Sequence, residues 1–238
     1  ETNRRVMDAF SLYNLPYTEN SKENLIREGQ SKNFVYKTGN PIKEVLEFYK
    51  KDIDNSDVLE RLKLGEYALL TFHRTENVDN PTRARAVVEA INEISKDIPV
   101  VYSFHPRTRD QFSKHGIMFG KGVVLIDPIG FFDFVKLEKN ASFVLSDSGT
   151  VPEETSLFGV PSIVLRNTTE RQELLENGSV ILSSTGKEDI LRAYRVISSM
   201  KQSWGPLPDY HKENVSDTVI RLLLGKEYKY ERKGHDEY

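Results

Sequence analysis

The chain has 238 residues, no cysteine and a formal net charge of −3, from 33 basic and 36 acidic side chains. Without cysteine there is no disulfide framework, no thiolate metal site and no cysteine nucleophile, and the near-neutral balance argues against a dedicated nucleic-acid binder. No apolar run approaches a membrane span, Tyr67–Phe72 being typical of the longest. The first twenty residues hold Arg4, Arg5 and Asp8 and lack a signal-peptide core. A cytoplasmic protein with no membrane or nucleic-acid partner is expected. Glu1 stands where Met would begin a complete chain, as in a fragment or a processed chain.

Residues 1–36 show one helical run near Asn20–Gly29, then the apolar Phe34–Tyr36. Thr38-Gly39-Asn40-Pro41 follows as a turn signal. This reads as the end of another unit and a hinge, so residues 1–38 are assigned to the end of a truncated N-terminal domain. Val6, Phe10 and Leu12 then predict an exposed patch or self-association. Ile42–Leu62 reads as two short helices.

From residue 67 short apolar runs alternate with amphipathic segments. The predicted strands are Tyr67–Phe72, Val100–Phe104, Val123–Ile126, Phe143–Leu145, Ser162–Leu165 and Val180–Leu182, each nearly all apolar, as in strands covered on both faces. Thr82–Ser95 carries Ala84, Val87, Val88, Ile91 and Ile94 at helical spacing, with Asn80 as N-cap and Pro81 in the first turn. Ile190, Ala193, Tyr194 and Ile197 repeat the spacing, and Thr185 with Glu188 could form a capping box. Six such repeats predict an α/β fold, an open parallel sheet with helices on both faces, over residues 39–224. Residues 225–238 form a charged, aromatic tail, expected to be frayed or docked on a partner.

In an open parallel sheet, ligands bind outside the carboxyl ends of the strands. Five successive strand ends carry polar groups: His73-Arg74-Thr75-Glu76-Asn77, His105-Pro106-Arg107-Thr108-Arg109, Asp127-Pro128, Ser146-Asp147-Ser148-Gly149-Thr150 and Arg166-Asn167-Thr168-Thr169-Glu170-Arg171. Loops are polar by default, so the concentration alone is moderate support. The Ser146–Glu154 segment is the sharpest. Gly149 permits close backbone approach, free N–H groups at the following helix would hold an anion, and a carboxylate one turn on could accept from a ribose diol. Glu153 and Glu154 also suit the helix dipole, and Ser148 and Thr150 could simply cap the helix. On the residues alone, both readings stand. His73 and His105 lack a ligand partner at short spacing, so no metal is expected. As donors to phosphate, or as imidazoles near a reacting sugar, they fit better. Arg74, Arg107, Arg109, Arg166 and Arg171 offer enough cation for a pyrophosphate, with surface roles open to some of them. There is no P-loop, no GxGxxG after a strand and no GxSxG elbow around Ser148.

These motifs together resemble the non-hydrolysing UDP-N-acetylglucosamine 2-epimerases, which have the two-domain GT-B fold. The matching stretches are Glu1-Thr2-Asn3-Arg4-Arg5, Thr38-Gly39-Asn40, His73-Arg74-Thr75-Glu76-Asn77, His105-Pro106-Arg107-Thr108, Asp147 to Glu154 and Thr168-Thr169-Glu170-Arg171, in the family's order as far as about residue 224. The resemblance implies that His73 is an active-site residue near the substrate. It implies that Ser148 and Gly149 bind the diphosphate and Glu154 the uridine ribose. It places Arg74, His105 and Arg171 along the nucleotide cleft. The implied reaction interconverts UDP-GlcNAc and UDP-ManNAc by UDP elimination and re-addition, with no cofactor, in what is usually a homodimer. It also implies that the family's main catalytic carboxylates lie before Glu1, so that this chain carries the UDP-binding half and is inactive alone. Thr150 and Gln172 replace a common Gly and Pro, which leaves the exact sugar open. Some members act on UDP-2-acetamido-2,6-dideoxy-hexoses. A GT-B glycosyltransferase, or a module that senses UDP-sugars without turnover, would use the same pocket.

Overall fold

The computed structural model describes residues 2–201 and 203–225. Glu1 and the tail beyond Gly225 lie outside the described residues. Two compact units are present: residues 45–207, and residues 2–44 together with 208–225.

In the second of these, helices α1 (Thr2–Phe10) and α2 (Glu19–Arg27) precede a 3-10 turn at Lys32–Phe34. The sequence pattern gave one helix here, not two. The α1 helix buries none of its side chains, so no long-range apolar pattern marked it; an Arg4–Asp8 pair at 2.5 Å and Arg4–Glu28 at 2.7 Å hold it instead. Val6, Phe10 and Leu12 are exposed as expected, Phe10 at 87%. Thr18 caps α2 by accepting from the Ser21 N–H, and Val35 forms a parallel bridge with Asn14. Helix α3 (Ile42–Phe48) follows.

The stretch expected to give two helices gives three: α3, then α4 (Lys50–Asp54) and α5 (Val58–Arg61). Tyr49 and Asp57 both leave the helical region (ψ 11° and 12°), which breaks the run. The unit of residues 45–207 then alternates strictly. In chain order it contains β1 (Ala68–Thr71), α6 (Thr75–Val78), α7 (Pro81–Ile94), β2 (Val100–Ser103), α8 (Pro106–Lys114), β3 (Val123–Ile126), α9 (Phe131–Asn140), β4 (Phe143–Ser146), α10 (Val151–Phe158), β5 (Ser162–Val164), α11 (Gln172–Glu176), β6 (Val180–Leu182) and α12 (Lys187–Ser199). A last helix, α13 (Val215–Leu224), belongs with residues 2–44. Its first turn donates from the Val215 and Ser216 N–H groups to Glu44, and these bonds, the Ser216 hydroxyl's foremost, hold the Glu44 carboxyl below its usual range.

The six strands form one parallel sheet in the order β3-β2-β1-β4-β5-β6. This is the open parallel α/β architecture expected from the sequence. Along β1 the side chains alternate between two cores. Ala68, Leu70 and Phe72 pack with Val87, Ile91 and Ile94 of α7 and with Ile190 and Ala193 of α12. Tyr67 and Leu69 pack on the opposite face with Val58, Leu137 of α9 and Val151 of α10. Burial on both faces is why the inner strands read as unbroken apolar runs, whereas on the edge strand β3 Leu125 is exposed. Each fully buried Leu or Ile here contributes about 1.5–3 kcal/mol.

Asn80 caps α7 as expected, accepting from the Thr82 and Arg83 N–H groups. The expected capping box at α12 does not form. Gly186 is the N-cap, and Ser184 (φ 62°) instead accepts from the Gly186 N–H and donates to Asp189 at 2.7 Å. Gly122, just before β3, lies against the end of α7, and a Cβ there would stand 2.2 Å from the Ser95 carbonyl oxygen. Backbone cannot yield as a side-chain tip can. Gly122→Ala is therefore expected to cost about 2–3 kcal/mol in urea denaturation. Gly65→Ala, where the Cβ meets open space, is expected to change stability by less than about 0.5 kcal/mol.

Candidate functional site

The strand order reverses between β1 and β4: the chain runs outward to β3 on one side and to β6 on the other. In open α/β sheets such a switch point opens a crevice beyond the strands' carboxyl ends. The loops leaving β1 and β4 carry His73-Arg74 and Ser146-Asp147-Ser148-Gly149, so topology alone brings these two segments together.

Asp147 joins them. Its carboxylate is fully buried and accepts from three donors across the switch point. These are the His73 N–H (3.1 and 3.2 Å), the Arg74 N–H (2.9 Å) and the Asn77 side-chain amide (3.2 Å). From the β2 side, the buried Tyr102 hydroxyl donates to the Phe72 carbonyl at 2.5 Å. The β1 loop is thus held from both neighbouring strands. The exposed His73 ring turns Nδ1 toward Thr71 Oγ1 (3.2 Å) and Asp147 Oδ1 (3.7 Å). A proton on Nδ1 leaves Nε2 with its lone pair for a ligand.

Beyond β4, the Ser146 hydroxyl accepts from the Ser148 N–H at 2.9 Å and the Ser148 hydroxyl from the Thr150 N–H at 3.3 Å. Neither Ser148 nor Thr150 caps α10; the N-cap Thr150 makes no side-chain capping bond. Among the described residues the Gly149 N–H has no protein acceptor. The Gly149 backbone is not left-handed; the absence of a side chain is what counts. A Cβ there would stand 3.2–3.4 Å from the Arg171 guanidinium. Arg171 is anchored in turn by an ion pair from its Nε to the buried Glu153 and a 3.4 Å contact to Glu170. The Arg171 guanidinium thus stands beside a small-residue turn with an unused backbone N–H, and both kinds of donor are ones that bind anions.

Glu154, one residue on, is buried, and burial raises its carboxyl above the usual range. Its neighbour is Glu138 of α9, fully buried, pushed well above the ordinary range first by burial and then by the Glu154 charge. Nothing in the sequence singled out Glu138.

His73 and His105 line a cavity of about 330 Å³ with Thr71, Ser103, Pro128 and Phe134. His105 also caps α8: its Nδ1 accepts from the Arg107 N–H at 3.3 Å, so the neutral ring carries its proton on Nε2. A second cavity of about 310 Å³ holds Arg74, Glu76, Asn77 and Arg166. The sheet order sets the β4 turn between the ends of β1 and β5, which these cavities border. Not all the arginines converge. Arg107 pairs with Asp79 at 2.9 Å, and Arg109 pairs with Asp127 at 3.0 Å over the face of Phe104. Arg74 pairs with Glu76 at 2.9 Å and Arg166 with Glu170 at 3.3 Å, both at the crevice. Among the described residues no group of three or more His, Asp or Glu is placed to hold a metal, and no helix is long and apolar enough to cross a membrane.

The family model described as UDP-N-acetylglucosamine 2-epimerase matches residues 1–224. The chain belongs to that family. It is 37% identical over 243 residues to a UDP-N-acetylglucosamine 2-epimerase of Methanocaldococcus jannaschii, covering 96% of this chain and 65% of the relative. A crystal structure of the Methanocaldococcus jannaschii UDP-GlcNAc 2-epimerase in complex with UDP-GlcNAc and UDP superposes with a TM-score of 0.88 at 34% identity, over 95% of this chain and 64% of that one. A UDP-2,3-diacetamido-2,3-dideoxy-D-glucuronate 2-epimerase of Pseudomonas aeruginosa is 38% identical over 130 residues, covering 54% of this chain and 36% of the relative. The chain thus spans slightly less than two thirds of the length of the Methanocaldococcus relative.

The Asp147 clamp is directly testable. Asp147→Asn turns an amide N–H₂ toward buried N–H donors. It is expected to cost about 2–3 kcal/mol in urea denaturation. Amide exchange at His73 and Arg74 is expected to quicken in the folded variant.

Proposed function

We propose that this chain binds a UDP-sugar at the carboxyl edge of its sheet and supplies the nucleotide half of UDP-N-acetylglucosamine 2-epimerase chemistry. The observation that carries this reading is the Gly149–Arg171 seat at the switch point, with a buried carboxylate, Glu154, beside it. In this reading the Gly149 N–H, the Ser148 hydroxyl and Arg171 hold the diphosphate. Glu154 accepts from the ribose diol, since an ionised carboxylate is an acceptor only. The same pairing of anion seat and diol acceptor suits any UDP-sugar. Relatives named for different sugars share the UDP moiety and the 2-epimerisation, which supports the nucleotide contacts as the common element.

The proposed reaction breaks the bond between C1 and the UDP oxygen while a proton leaves C2, giving a 2-acetamidoglucal and UDP. The proton then returns to the opposite face of C2 and UDP re-adds at C1. Arg171 and the Gly149 N–H stabilise the charge that builds on the departing diphosphate. His73, with Nε2 open to the crevice, is the group of this chain placed to move a proton near the sugar, and Arg74 and His105 border the cleft on either side. These roles divide recognition from chemistry: Ser148, Gly149, Glu154 and Arg171 bind, and His73 acts.

Calorimetric titration of the 238-residue chain with UDP tests the placement. Saturable binding is expected, weakened by about 10-fold or more in Ser148→Ala and in Glu154→Ala, each of which removes a hydrogen bond to a charged partner. His73→Ala is expected to leave UDP affinity within about threefold, because His73 serves the sugar. A folded wild-type chain that does not bind UDP, or variants that bind it unchanged, would contradict the proposed site.

A further inference from the structure

Glu170 lies in the stretch 168–171 beside Arg171, yet the contacts proposed for UDP leave it without a role. It stands between two arginines. Arg166 donates from both Nη groups to its two carboxyl oxygens, each at 3.3 Å. Arg171 donates from Nη1 to one of the same oxygens at 3.4 Å. That Nη1 is also the atom nearest to where a Cβ on Gly149 would stand, at 3.2 Å. The Glu170 carboxylate therefore sits on the guanidinium nitrogen that borders the proposed diphosphate seat.

Two features set this contact apart from a fixed ion pair. The first is length. Charge-assisted N–H···O bonds run at about 2.7–2.9 Å. Arg74–Glu76, at the same crevice, meets that at 2.9 Å, whereas the bonds to Glu170 are all 3.3 Å or longer. The second is exposure. The side chains of Arg166 and Arg171 are 12% and 17% exposed, and that of Glu170 is 71% exposed. The backbone around them is tied down. Thr169 Oγ1 accepts from the Arg171 N–H at 3.2 Å, and the Arg166 carbonyl accepts from the Ser184 N–H at 3.1 Å. Arg171 also keeps its buried partner Glu153, whatever Glu170 does. The cations are thus anchored in the wall of the crevice, and the Glu170 side chain is the part free to turn away. An ion pair this exposed gives up little on breaking.

We propose that Glu170 is a specificity-determining residue of the diphosphate seat: a tethered carboxylate that competes with the ligand for Arg171 and Arg166 and is displaced by a diphosphate. The proposal rests on the UDP-binding reading above. A carboxylate attached next to Arg171 has a high effective concentration there, so an anion that makes a single contact does not oust it. A diphosphate brings more charge and engages Ser148, Gly149 and Arg171 together, and it does. Glu170 therefore lowers affinity for every ligand that uses the arginines. A residue that merely oriented Arg171 would raise it, so the sign of the effect separates the two roles.

The test is calorimetric titration of the 238-residue chain and its Glu170→Gln, Glu170→Ala and Glu170→Asp variants, with UDP and with inorganic pyrophosphate as separate probes. Each variant changes one exposed side chain, and each is expected to unfold in urea at a midpoint close to that of wild type. Glu170→Gln and Glu170→Ala are expected to bind both probes about three- to tenfold more tightly than wild type. Glu170→Asp keeps the charge but withdraws it by one methylene from contacts that are already long. It is expected to gain about two- to threefold, because competition is by contact. Added sodium chloride is expected to weaken pyrophosphate binding more in Glu170→Gln than in wild type, since the tethered competitor no longer keeps single-contact anions off the arginines.

Glu170→Gln and Glu170→Ala that bind pyrophosphate as wild type does, or more weakly, would overturn the proposal. A gain in Glu170→Gln with none in Glu170→Asp assigns the effect to net charge and overturns competition by contact. An equal loss to chloride in Glu170→Gln and wild type overturns the selectivity. The Ser148→Ala variant separates this proposal from the reading it rests on. Unchanged UDP binding there overturns the UDP-binding reading and this proposal with it. Weakened UDP binding there, beside Glu170 variants that gain nothing, overturns the role of Glu170 alone.

Discussion

The site depends on one buried carboxylate. Asp147 ends β4 at the point where the sheet reverses its strand order, and it gathers the N–H groups of the β1 loop across that reversal. Taking a carboxylate out of water is costly unless donors replace the lost hydration, and here two backbone N–H groups and one side-chain amide do so. The arrangement cannot relax one loop without the other. If the β4 turn moves, Asp147 loses its donors; if the β1 loop moves, the donors lose their buried acceptor. His73 and the Ser148–Gly149 turn therefore keep one relative geometry, which is what the proposed UDP-sugar site would require.

A second buried carboxylate fixes Arg171 beside the Gly149 turn. Glu153 anchors Arg171, and the missing side chain of Gly149 lets the guanidinium lie against the turn. Glu154, next in the chain, is buried, and burial raises its carboxyl above the usual range. The helix dipole favours both acids of the first turn of α10 equally, so their different surroundings arise from what packs against the helix.

Much of this was legible in the sequence, for physical reasons that also mark where it stopped. The strands stood out because burial on both faces leaves no room for polar residues, as in Ala68–Thr71 and Phe143–Ser146. Asn80-Pro81 marked a helix start because its chemistry is local. The break at Tyr49 and the Ser184 turn that replaces the expected capping box were not legible, since backbone dihedrals and tertiary contacts decide them. The edge that carries the candidate site could be proposed because ligands in this architecture gather at strand ends. The partners of its residues could not. Arg171 and Gly149 sit on different loops, and Asp147 reads as one more polar residue of a motif. Each becomes visible only when the fold shows what lies opposite.

The most direct measurement is a heteronuclear NMR titration of the labelled 238-residue chain with UDP, following each backbone amide. The account predicts that the largest shifts fall on Ser148, Gly149 and Thr150, followed by Arg171 and Glu154, with His73 and Arg74 moving through the Asp147 clamp. Shifts centred instead on Ile181, Ser183, Asp189 and Val196, in the cavity of about 480 Å³ that they line with Arg166, with the β4 turn unmoved, would contradict it.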